Sequence, residues 1–216
     1  MEVLVDRIAG EIDSEVAEGS LWYRSRIGFE KEENHFDLAQ VTHAVTPYKG
    51  AAIAALPPRR ASAGRMNRPG VSVLYLASEI ETTLAEIRPH PGHTISVGGF
   101  RPTRSLRIAR FDVPIGNFCA SDERLEEFAL IHHVDTLLSM PIIPEERHRY
   151  AATQLLCDIL LRRGFDGVSY RSSVSTGRNL CVFDPHLLSF DETVSAVRHV
   201  EQLDYRFSEV ATERPA

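Results

Sequence analysis

Lysine is nearly missing from this chain: Lys31 and Lys49 are the only two among 24 basic residues, and the other 22 are arginines. Cysteine is scarce as well. Cys119, Cys157 and Cys181 are odd in number, with no C-x-x-C spacing and no accompanying histidine pattern, which excludes a disulfide framework or a cysteine-built zinc site and favours a reducing compartment. No run approaches the ~18 uninterrupted apolar residues of a membrane span. Residues 1–19 are broken by Asp6, Arg7, Glu11 and Asp13, so they lack a signal-peptide core, and the expectation is a cytoplasmic protein. Positive charge is also in deficit. A net charge of −6 argues against non-specific nucleic-acid binding, whose affinity comes from cations replacing phosphate counterions. The dinucleotide fingerprint G-x-G-x-x-G, the P-loop, H-E-x-x-H and the nucleophile elbow G-x-S-x-G are all absent.

What is present suits an ordinary globular protein. The 216 residues, 43% hydrophobic and 25% charged, are enough for one core without metals or disulfides. Val5, Ile8, Ile12 and Val16 predict an N-terminal helix over residues 2–18, ended by Gly19. Leu21 to Arg24 reads as a strand, and residues 26–58, with Pro47, Gly50, Pro57 and Pro58, as an irregular binding-loop region.

Val71 to Ala77 predicts a buried strand, followed by a helix that Ser78 and Glu81 start as a capping box and Pro89 stops. Glu86 then falls in the last turn, where the helix dipole disfavours a carboxylate, a hint of a role beyond the helix. Strands are expected over 94–100 and 106–113. Helices follow over 122–140, capped by Ser121, and over 145–163, ended by Gly164. Two short strands, 166–170 and 179–183, flank a polar turn, and alternation at Leu203, Tyr205 and Phe207 suggests a last strand. The fold class is α+β, a mixed or antiparallel sheet with flanking helices. Its expected organisation is an N-terminal helical extension (1–20), the main domain (21–190), and a C-terminal strand and tail (191–216) belonging to the same domain.

The histidine pairs His90/His93 and His132/His133 lack a third ligand at a metal-site spacing, so no metal is expected. Cys157, among leucines on a helix, reads as a structural thiol. The chemistry concentrates elsewhere. Arg59, Arg60, Arg65 and Arg68 crowd a glycine-containing loop that leads into a buried strand, a plausible anion cradle because a guanidinium binds phosphate with two parallel hydrogen bonds. Tyr75 and Glu86 follow within about twenty residues.

The blocks Gly64-Arg65-Met66-Asn67-Arg68-Pro69-Gly70, Leu74-Tyr75-Leu76-Ala77 and Thr82-Thr83-Leu84-Ala85-Glu86-Ile87-Arg88-Pro89 closely resemble the RES domain family, named for an Arg, a Glu and a Ser. Leu21 to Arg24, Ile95 to Gly98, Tyr150 to Gln154, Phe165 to Val168 with Tyr170, and Asn179-Leu180 extend the match. The resemblance implies an ADP-ribosyltransferase-like fold and consumption of NAD as substrate. It further implies a toxin paired with an Xre-type antitoxin, acting by NAD hydrolysis or phosphorolysis, or by ADP-ribosylating a protein acceptor. A module that binds NAD or the antitoxin without chemistry is the reading from another class. Carried over by position, the catalytic triad is Arg24, Glu86 and Ser172, with Arg65, Tyr75, Asn179 and Ser173 as NAD-binding residues. Where the family commonly has Tyr-Pro-Ser, this chain has Tyr170-Arg171-Ser172, so Ser172 and Ser173 both stay candidates to face the ligand.

These residue types suit the reaction. Nicotinamide leaves its ribose neutral and needs no general acid, so the chemistry asks for a carboxylate beside the oxocarbenium-like carbon, a part for Glu86. Arg24 and Arg65 would clamp the pyrophosphate, and Tyr75 would stack on the pyridinium for about 0.5–2 kcal/mol. The remaining arginines, Arg104 among them, are expected on a solvated surface.

Overall fold

The computed structural model describes residues 1–36, 40–204 and 207–209. Helix α1 (Glu2–Ile12) leads into β1 (Asp13–Val16) and β2 (Trp22–Ile27), followed by the hairpin β3 (Glu30–Phe36) and β4 (Gln40–Thr46). Then come β5 (Leu74–Ala77), α2 (Ile80–Glu86), β6 (Thr94–Pro102), β7 (Leu106–Arg110), α3 (Asp122–Ser139), α4 (Tyr150–Arg162), β8 (Gly167–Arg171), β9 (Arg178–Val182) and β10 (Leu188–His199). Eight strands form one sheet in the order β1-β7-β8-β9-β5-β2-β6-β10. Every pairing in it is antiparallel except β7 with β8, which run parallel because α3 and α4 supply the crossover. The expected mixed or antiparallel sheet with flanking helices forms, as a mixed sheet that is mostly antiparallel.

The two-residue side-chain period of a strand divides the core into two layers. Leu74 and Leu76 of β5, Leu106 and Ile108 of β7, and Leu180 and Val182 of β9 pack on one face with Ile53 and Phe100. Val168 and Tyr170 of β8 and Cys181 of β9 face the opposite way, onto Val5, Ile8 and Ile12 of α1, Ile131 and Leu138 of α3, and Leu156 and Leu160 of α4. Tyr75 packs on this helix-covered side, opposite Cys181 across the β5–β9 ladder.

Four expectations are corrected. The N-terminal helix stops at Ile12, where Asp13 is extended (φ −68°, ψ 125°) and β1 begins pairing with β7. A four-residue step from Ile12 to Val16 fits a helix face and a strand face equally, so the spacing could not separate them. Residues 26–58 are not irregular throughout: they hold the end of β2 and the β3–β4 hairpin, whose charged first strand, Glu30-Lys31-Glu32-Glu33, carries no apolar alternation. Ser78 does not cap α2. Glu79 is the N-cap residue, and the Ser78 hydroxyl instead accepts from the Arg178 backbone N–H at 3.0 Å. The last strand is Leu188–His199, not one around 203–207. Residues 201–204 and 207–209 form no strand, and Tyr205 lies outside the described residues. β10 already fills the edge beside β6, and the register shift between Asp191 and Ala196 blurs its alternation in the sequence.

Candidate active site

A cleft of about 440 Å³, within the range of small-molecule sites, opens between α2, the β5–β9–β8 strands and the start of α4. Glu86 stands at its wall on the final residue of α2. The carboxylate is held from the far side of the sequence: Oε1 accepts from the Ser172 hydroxyl at 2.7 Å and from the Asn179 amide at 2.6 Å. Two donors on one oxygen offset the unfavourable helix dipole and fix the side chain. Asn179 is 5% exposed and sits opposite Tyr170 across the β8–β9 ladder, so its aim is set by the sheet. The loop carrying Ser172 lies close on α2 because residue 177 is glycine: a Cβ there would come within 2.2 Å of the Thr82 hydroxyl.

Just past Glu86 the chain turns sharply. Arg88 adopts φ 47°, the left-handed region, although Pro89 follows it. That conformation costs about 1–3 kcal/mol for a residue with a side chain, and it occurs where Arg88 lines the cleft.

The 64–70 loop is a built structure. Buried Asn67 donates to the carbonyls of Ser62, Arg68 and Val71 and accepts from the Tyr75 hydroxyl at 2.8 Å. Gly64 allows this, since a Cβ there would lie 2.6 Å from both the Asn67 and Tyr75 oxygens. Helix α4 grips the same loop: Thr153 donates to the Arg65 carbonyl, and Gln154 to those of Gly64 and Asn67. Arg65 is thereby aimed at the C-terminal end of α3. There Nη1 donates to Leu138 O at 2.8 Å and, more weakly, to Leu137 O at 3.3 Å, with the guanidinium 5.5 Å from the Tyr150 ring centre.

Arg24 reaches the cleft from β2. Its Nη1 donates to the Tyr75 carbonyl at 3.0 Å, while its buried Nε has no partner among the described residues. Burial, helped by nearby Arg26, lowers the guanidinium pKa to about 10, which leaves it charged at neutral pH. The Tyr75 hydroxyl, accepting from Met66 N–H and donating to Asn67, is fully engaged, so the ring is what Tyr75 offers the cleft. Burial raises its pKa well above the ordinary phenol range.

The structure brings Arg24, Arg65, Tyr75, Glu86, Ser173 and Asn179 to one cleft. Ser172 is not part of the lining; it reaches the site through Glu86, whereas Ser173 lines the space. Arg88, Arg147, Tyr150 and Tyr170 also line the cleft and were not singled out as site residues. Arg88, Tyr150 and Tyr170 belong to the matched blocks, so those had a signal; Arg147 had none. Of the four loop arginines, only Arg65 reaches the site: Arg68 pairs with Asp158 at 3.0 Å, and Arg59 and Arg60 are exposed. Arg171, where the family commonly has Pro, is not a loose cation. It pairs with buried Asp135 and so ties β8 to α3.

Charge separates two classes of arginine. Arg7, Arg101, Arg107, Arg124, Arg163 and Arg178 are each in an ion pair with a carboxylate. Arg104, expected to be merely solvated, forms a two-pronged pair with Asp166 at 2.7 and 2.9 Å. The cleft arginines Arg24, Arg65, Arg88 and Arg147 have no ion-pair partner among the described residues, and Glu86 is the carboxylate in the lining. The cleft therefore carries an excess of positive charge on a protein that is acidic overall.

Among the described residues no group of three His, Cys, Asp or Glu could hold a metal ion, and no helix is long and apolar enough to cross a membrane. Cys157 is buried against the Met66 sulfur at 3.6 Å, and burial pushes its pKa up, as suits an inert thiol.

Comparison with known proteins adds the family. No curated protein matches the chain. A solved structure similar to it is a chain of the M. tuberculosis MbcT–MbcA toxin–antitoxin complex, with 14% identity and a TM-score of 0.48, covering 92% of this chain and 93% of that one. The RES domain model matches residues 36–208, which takes in the arginine loop, Tyr75, Glu86, Ser172 and Asn179 and leaves Arg24 upstream. By that match the chain belongs to the RES domain family.

Proposed function

We propose that the protein cleaves the bond between nicotinamide and ribose in NAD, passing the ADP-ribosyl group to water or phosphate. The observation that carries this reading is the charge layout of the cleft: arginines without carboxylate partners surround one carboxylate fixed by two hydrogen bonds. Such a site suits a substrate with a pyrophosphate and a carbon that becomes cationic during reaction.

In the step itself the carbon–nitrogen bond breaks, and its electron pair leaves with nicotinamide, which departs neutral. The ribose carbon becomes electron-deficient, and Glu86 stabilises that charge. Water then adds and loses a proton to solvent, or phosphate adds through an oxygen. Arg24 and Arg65 hold the pyrophosphate, the Tyr75 ring flanks the pyridinium, and Asn179 and Ser172 keep Glu86 oriented. The resemblance to RES proteins adds the biological setting, a toxin restrained by an Xre-type antitoxin.

Incubation with NAD, with and without phosphate, tests the reading. Nicotinamide release is expected, with ADP-ribose or its 1-phosphate as the second product. Label on a macromolecule would identify a protein ADP-ribosyltransferase instead, and intact NAD with thermal stabilisation a binding module. Growth arrest on expression, relieved by a neighbouring antitoxin gene, tests the toxin role.

A further inference from the structure

Of the three tyrosines that line the cleft, Tyr75 offers its ring and Tyr150 lies under the Arg65 guanidinium, while Tyr170 has had no part so far. It is 7% exposed, on the helix-covered face of β8, and lines the cleft beside Asn179. The Tyr75 hydroxyl has two protein partners; that of Tyr170 has none among the described residues. The ring is buried but the oxygen itself is not sealed off: it opens on the cleft, where water or a ligand can reach it. Its neighbours define what it could meet. Glu86 and Arg65 line the same cleft, and the charges of both reach the phenol. Burial, first of all, raises its pKa well above the ordinary value, so at neutral pH the group keeps its proton.

We propose that the Tyr170 hydroxyl is a substrate-contacting hydrogen-bond donor, directed at a ligand oxygen lying between the ribose carbon beside Glu86 and the phosphate beside Arg65. This rests on the NAD reading above. It adds a neutral donor to a site otherwise recognised through charge, and a neutral donor reads the position of a sugar or ester oxygen rather than the presence of an anion. Because it acts on the bound ligand before and during reaction alike, its removal is expected in KM rather than in kcat.

Tyr170→Phe tests this, with ADP-ribose as a probe that binds without turning over. The variant should have an unchanged or higher Tm, since no protein hydrogen bond is lost. Its Kd for ADP-ribose and its KM for NAD should rise about three- to tenfold, the loss of one neutral hydrogen bond, with kcat within twofold of the parent. Tyr75→Phe, which loses two protein hydrogen bonds, should lower Tm in the same experiment. Unchanged ADP-ribose affinity in Tyr170→Phe, with the parent binding normally, overturns the proposal for Tyr170 alone. A clear fall in its Tm does the same, by revealing a protein partner. A parent protein that binds neither NAD nor ADP-ribose overturns the NAD reading and this proposal with it.

Discussion

Glu86→Gln separates charge from shape at the centre of the site. The amide keeps the length of the side chain, and its oxygen can still accept from Ser172 and Asn179, so the two hydrogen bonds that fix Glu86 survive. Glu86 is exposed and makes no ion pair among the described residues, so folding stability should move by less than about 0.5 kcal/mol. The reaction should respond far more. A carboxylate 4 Å from a full positive charge is worth about 4 kcal/mol at an effective dielectric of 20, hence about 2 kcal/mol for a carbon bearing roughly half a charge. That corresponds to about a 30-fold slower step, and losses of about 10²–10³ follow removal of a pre-aimed group where bound substrate excludes water from it. We therefore expect kcat for nicotinamide release to fall between about 30- and 1,000-fold. ADP-ribose should bind equally or more tightly, since a negative charge near its phosphates has gone. Nicotinamide release by chromatography, ADP-ribose titration and urea unfolding measure the three quantities. A folded Gln variant with kcat within fivefold of the parent would refute the role given to Glu86.

Other consequences can be measured alongside. Arg65→Lys keeps the charge but not the fork that serves two α3 carbonyls while facing the cleft, so ADP-ribose affinity should fall about tenfold. Arg104→Lys, which loosens the pair with Asp166, should cost at most about 1 kcal/mol in urea unfolding and leave nicotinamide release unchanged. Arg171→Gln strands the carboxylate of buried Asp135 and should destabilise by about 1–3 kcal/mol, with Asp135→Asn in the same chain restoring most of it. Burial pushes Asp112 up, but hydrogen bonds from Arg110 and Arg178 outweigh it and hold its carboxyl below the usual range. The unfolded chain then binds more protons in acid, so this stabilisation is complete above the ordinary carboxylate pKa and is lost as pH falls through the lowered value. Unfolding free energy should fall with pH in that window, and Asp112→Asn should flatten the profile.

The parts legible in the sequence were those written in short range. The β5–α2 segment, the Ser121 cap, whose hydroxyl accepts from Arg124 N–H at 3.3 Å, and the Gly164 helix stop all depend on neighbours a few residues apart. The cleft residues emerged because they lie in blocks that resemble a family. Periodicity would have left Tyr75 as core. What stayed hidden depends on partners far along the chain. Nothing near Arg171 announces Asp135, and nothing near Ser78 announces the Arg178 backbone that takes its hydroxyl away from capping. Arg147 looks like any helix-flanking arginine until the fold turns it toward the cleft. The arginine excess was visible at once, but which guanidiniums lack a carboxylate is a property of the fold alone.

The way Glu86 is held has a consequence for the life of the chain. Both of its holders arrive late: Ser172 and Asn179 are made some ninety residues after the glutamate they orient. An emerging polypeptide carries the carboxylate, the arginine loop and Tyr75 through some ninety residues of further synthesis with no oriented site. Glu86 acquires its orientation only once β8 and β9 have closed against α2, so the site takes shape late in the making of the chain.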